Sequence, residues 1–95
     1  MRFTFDPRKR AANLRKHGLD LADAQVLLAS VATVTFKDRR LDYGEDGFLT
    51  IAPMGERLVT IVTMETAAEI RVISMRKATR TEKAIYREHS RQSAR

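Results

Sequence analysis

Four cations, Arg71, Arg76, Lys77 and Arg80, stand within ten residues of one another in the run RVISMRKATRTEKAIY, near the end of a 95-residue chain. Val72 and Ile73, between the two arginines, read as the core of a buried strand. A charge buried there without a partner costs several kcal/mol. The arginines therefore belong at the strand's ends, hydrated until a ligand covers them. Guanidinium groups grip phosphate oxygens in a bidentate way and offset the extra charge of a phosphorane-like transition state. An RNA strand brings its own nucleophile, the 2′-hydroxyl, so cutting it requires only cations, a base and a proton donor. His17, Glu65 and Tyr86 are the candidate proton-transfer groups, and Arg57 and Lys83 join Lys77, Arg80 and Tyr86 as candidate RNA contacts. Arg71 precedes Arg76 by five residues, so simple alternation sends the two to opposite faces unless a bulge or the strand's end intervenes.

Composition removes most other chemistries. The chain has no cysteine, which excludes a disulfide framework and a thiolate nucleophile and suits a reducing cytoplasm. His17 and His89 are the only histidines; neither has a second at ligand spacing, so no metal is expected. The glycines form no phosphate-cradling loop, and no cofactor is expected. Scattered serines assemble no acyl-transfer triad. No signal-peptide pattern opens the chain, and no apolar run approaches the ~20 residues that span a bilayer. A cytoplasmic location without membrane attachment is the expectation.

The net charge of +6 is divided rather than mixed: residues 1–18 carry +5, residues 19–70 carry −5 and residues 71–95 carry +6. Two basic ends around an acidic middle point to a polyanion, because clustered cations release condensed counterions on meeting phosphates. A solvated charged surface is the plain alternative.

The elements that must position these residues fit one domain, residues 1–95, with a single modest core. FTFD alternates as a short half-buried strand. Asp6 and Pro7 start a helix that Gly18 ends, giving residues 7–17 with a narrow stripe of Ala11, Ala12 and Leu14. A second helix follows, capped by Asp20 and carrying Leu21, Ala24, Leu27 and Leu28 at helical spacing. Residues 31–36 then read as a strand, 37–47 as a polar loop, and 48–54, 57–64 and 69–76 as three more strands. Their short links imply an antiparallel meander. Thr79 and Glu82 stand at capping-box spacing and open a final helix whose apolar side is only Ala84, Ile85 and Tyr86. The fold class expected is α+β: a short strand and two helices, a four-stranded antiparallel meander, and a carboxyl-terminal helix.

Three separated segments resemble the BrnT toxin family in order. FTFDPRKRAANLRKHGLDLADA is similar to its amino-terminal stretch, with Asn13, Lys16, His17 and Gly18 on the Asn-x-x-Lys-His-Gly pattern. DYGEDGFLTI resembles its Gly-Glu-x-x-Phe-x-x-Ile segment, and RVISMRKATRTEKAIY its Arg-x-Ile-Ser-x-Arg-x-Ala-x-x-x-Glu-x-x-x-Tyr close. Two positions depart: Thr66 stands where relatives often have arginine, and Asp46-Gly47-Phe48 replaces Glu-Arg-Phe. The resemblance implies a RelE-like fold and a metal-independent endoribonuclease toxin that arrests translation. It also implies a BrnA-like ribbon-helix-helix antitoxin, and operator DNA contacted through the antitoxin complex. Arg71, Arg76, His17 and Glu65 are the catalytic candidates.

Each candidate also has an ordinary role: Arg76 in a surface ion pair, His17 as a cation at a helix carboxyl end, Glu65 in a turn, Tyr86 packed on the sheet. Two other functional readings stay open, an inactive module that keeps the antitoxin-binding or nucleic-acid-binding surface and a ParE-like gyrase inhibitor.

Overall fold

The computed structural model describes residues 2–30, 32–42 and 46–93. Strand β1 (Arg2–Phe5) leads into helix α1 (Pro7–His17), and a 3-10 turn, Leu21–Asp23, opens the short helix α2 (Ala24–Leu28). Strands β2 (Val34–Asp42), β3 (Asp46–Met54), β4 (Arg57–Glu65) and β5 (Glu69–Lys77) follow, then helix α3 (Arg80–Ser93). The α+β class and the order of elements are as expected. Local signals set the bounds of α1: the Asp6 carboxylate accepts from the Arg8 N–H at 2.8 Å, and Gly18, at φ 69°, takes the left-handed cap.

The sheet is larger than a four-stranded meander. β1 joins it as a fifth strand, parallel to β5, in the order β1-β5-β4-β3-β2. The alternation of FTFD marks a strand but carries no information about a partner that lies some 67 residues away, as Arg2 opposite Glu69 does. The expected loop 37–47 is also corrected. β2 continues through Lys37 to Asp42, and β3 already begins at Asp46. β2 is an edge strand, where one side meets water and charged residues are tolerated. Lys37 pairs with Asp46 at 3.3 Å across this hairpin. Val31 and residues 43–45 of those expectations lie outside the described residues.

One face of the sheet holds the main apolar cluster, while Leu49, Ile51 and Met64 are buried on the other. Val59, Ile61, Val72, Met75 and Ala52 pack against Leu19, Leu21 and Ala24, with Phe5, Leu27, Leu28 and Met54 partly buried around them. The expected stripe on α1 does not take part: Ala11 and Ala12 are exposed and Leu14 is 48% exposed. The buried residue of α1 is Asn13, at 6%. Its side-chain amide donates to Leu19 O and Met75 O, each at 2.9 Å, and its carbonyl oxygen accepts from Met75 N–H at 3.0 Å. β1 pairs with β5 only as far as Val72. Beyond that point Asn13 serves the backbone of β5 as a neighbouring strand would, meeting the need of buried peptide groups for partners.

Candidate nucleic-acid interface

Partners across an antiparallel ladder share a face, so the register of β4 and β5 places their side chains. Val62 faces Ser74, but Thr63 faces Val72, and Ile73 has no opposite number. That one-residue bulge reverses the alternation between the two arginines. Arg71 lies opposite Met64, and Arg76 opposite Thr60, four residues apart on β4. Both arginines therefore occupy the face away from the core, about 13 Å apart along the strands. The bulge that could reunite them is present.

Arg76 meets a carboxylate. Its Nη1 and Nη2 donate to Oε1 and Oε2 of Glu82 at 2.7 and 3.0 Å, the bidentate geometry that makes Arg–carboxylate pairs strong. Glu82, only 7% exposed, also accepts from Thr60 Oγ1 and from the Thr79 N–H, each at 2.8 Å. The Glu82 N–H returns a bond to Thr79 Oγ1 at 3.1 Å, so the capping box expected from sequence is formed. Burial pushes the Glu82 carboxyl up. The bonds from Arg76, Thr79 and Thr60, with the charge of Arg76, overcome that and hold it at about 2.

Just beyond the clamp, at the rim of the sheet, a groove of ≈ 340 Å³ lies between the β3–β4 turn, the end of β5 and α3. Arg57 and Leu58 from the start of β4, Lys77 from the end of β5, and Lys83 and Arg87 from α3 line it with Glu56. Four cations around one carboxylate leave a concentrated positive field, in a cavity of the size that small ligands occupy. Three of the expected RNA contacts, Arg57, Lys77 and Lys83, are thereby brought together although they span 27 positions of sequence.

The remaining candidates are elsewhere. Arg71 sits at the other end of β5 from the groove. Glu65 ends β4, where Thr63 Oγ1 donates to its Oε2 at 3.2 Å; its partner in register is Ile70, so it lies on the face opposite Arg71. His17 is half-buried at the end of α1, and Arg80 is exposed at the start of α3. The Tyr86 hydroxyl donates to Ala32 O at 2.9 Å, tying α3 to the segment before β2. Sequence reading missed Arg87, which stands one helical turn from Lys83 and was available from that spacing. It also missed Thr60, whose role no local signal announces.

A family model described as "Ribonuclease toxin, BrnT, of type II toxin-antitoxin system" matches residues 5–82, most of the chain and the whole of the clamp from Thr60 to Glu82. Among curated proteins there is no match. No helix among the described residues is long and apolar enough to cross a membrane.

Proposed function

The chain belongs to the BrnT family of ribonuclease toxins of type II toxin–antitoxin systems, and on that premise we propose a metal-independent endoribonuclease of RelE-like fold that arrests translation in the cytoplasm. A BrnA-like ribbon-helix-helix antitoxin neutralises it, and the complex meets operator DNA through the antitoxin. The observation that carries the RNA reading is the groove, where Arg57, Lys77, Lys83 and Arg87 converge from two strands and a helix. Such a site grips a phosphodiester backbone without reading bases. Arg71, on the outer face, is the candidate for offsetting charge on the phosphate under attack. In that step the 2′-oxygen bonds to the neighbouring phosphorus, the bond to the 5′-oxygen breaks, and one proton leaves the 2′-hydroxyl while another reaches the leaving oxygen. His17 is the remaining candidate for moving those protons, Glu65 lying on the face opposite Arg71.

The test is cleavage of single-stranded RNA in EDTA by the wild type, Arg71→Ala, and a Lys77→Ala, Lys83→Ala double variant. The wild type is expected to leave 2′,3′-cyclic phosphate and 5′-hydroxyl ends. The double variant should lose affinity, and Arg71→Ala should lose rate. A wild type that leaves RNA intact while binding a ribbon-helix-helix antitoxin would overturn the enzyme reading.

A further inference from the structure

The clamp and the groove are contiguous. Lys77 follows Arg76 and Lys83 follows Glu82, so two of the four groove cations are chain neighbours of the ion pair, and Arg87 lies one turn further along α3. The apolar side of α3 is thin at this end, since Ala84 is exposed and Ile85 is 40% exposed, and the tie from the Tyr86 hydroxyl to Ala32 O reaches the segment before β2 rather than β4 or β5. Arg76, whose side chain is only 27% exposed, already spends both terminal nitrogens on Glu82. We infer that Arg76 and Glu82 are positioning residues, whose ion pair fixes the first turn of α3 on β4 and β5 and so sets Lys83 and Arg87 across the groove from Arg57 and Lys77. This rests on the RNA-binding reading above, and it gives Arg76 a different role from that of a phosphate ligand.

The two roles predict opposite signs for Glu82→Gln. That substitution removes a negative charge from a protein of net charge +6 and releases Arg76. If Arg76 is a direct ligand, RNA binding tightens. If the pair positions the groove, binding weakens despite the added positive charge, because Lys83 and Arg87 no longer converge.

The probe is a 2′-O-methyl single-stranded oligonucleotide, which binds without being cut, with its dissociation constant measured across a salt series. On the positioning role Glu82→Gln binds about tenfold more weakly, and the slope of log affinity against log salt becomes shallower by about 1.4, the equivalent of two lost phosphate contacts on a single strand. A protein that is merely less folded would show fewer binding-competent molecules with the wild-type slope. Should Glu82→Gln fail to fold, Thr60→Val removes a single bond from the same carboxylate and is expected to move affinity and slope in the same direction by less. Tighter binding by Glu82→Gln, or a wild-type slope in both variants, overturns the inference. A wild type that fails to bind the oligonucleotide at all overturns the RNA-binding reading and the inference with it.

Discussion

The helices before the meander and the helix after it meet the sheet through different chemistry. On one face Leu19, Leu21 and Ala24 bury apolar surface against Val59, Ile61, Val72 and Met75, an attraction that is non-directional and tolerant of small shifts. On the other face α3 is anchored by a carboxylate that gathers an arginine, a threonine hydroxyl and a backbone N–H. Hydrogen bonds fix angles and distances that apolar contact leaves loose. The first layer rests mainly on apolar burial and the second adds directional placement, and it is the second that carries two cations of the groove.

Leu21→Ala tests the stability half and carries the largest expected effect. Leu21 is 1% exposed, so truncation removes its transfer free energy and leaves a cavity, at about 3 kcal/mol. Denaturant unfolding should show that loss, with RNA affinity unchanged wherever the protein remains folded.

Glu82→Gln tests the placement half through pH. A folded value of about 2 against an ordinary 4.5 means that the ionised carboxylate stabilises the fold above about pH 4.5, and that this contribution disappears as pH falls towards 2. The contribution is lost progressively across that interval. Asp20, held at about 2 by its hydrogen bonds from Arg10 and the Ala22 N–H, titrates in the same range. The quantity to measure is therefore the difference between wild type and Glu82→Gln in unfolding free energy from pH 6 to pH 2. It should shrink on acidification; a difference that stays constant would remove the carboxylate from the account of how α3 is held.

How far the sequence reads this architecture depends on how local each signal is. Asp6, Pro7 and Gly18 bound α1, and Thr79 with Glu82 opens α3, because caps act within one turn. The parallel pairing of β1 with β5 and the strand character of Lys37 to Asp42 depend on which strands lie at the edges, a property of the whole sheet. The bulge at Ile73 is intermediate: the five-residue spacing of Arg71 and Arg76 poses the question, and only the register answers it. For the site, residue types pointed to Arg57, Lys77 and Lys83, but nothing in the chain's order indicated that Arg76 would be taken up by Glu82.

Asn13 probes a polar anchor within the otherwise apolar layer. Asn13→Ala would leave the N–H and carbonyl of Met75 and the carbonyl of Leu19 without the partners they now have, at about 2 kcal/mol. Asn13→Asp keeps the acceptor for Met75 N–H but loses both donated bonds and places a charge at a buried position, so it should be at least as destabilising. Amide hydrogen exchange at Met75 is the local readout: protection falls there before it falls at Ile61, whose other neighbour in the sheet, Thr50 on β3, is untouched.

The smallest effect expected is at the residue that sequence alone would have placed in the core. Leu14 belongs to the stripe of α1, and were that stripe the packing face, Leu14→Ser would cost as much as a core truncation. At 48% exposure it retains about half of its contact with water in the folded state, and its loss should cost about 1 kcal/mol or less. Val26, at 76%, should behave the same way. Comparing Leu14→Ser with Asn13→Ala, neighbours on one helix, thus asks which side of α1 the sheet holds. The polar substitution at the apolar position should be the milder of the two, a reversal that thermal unfolding of the two variants would register directly.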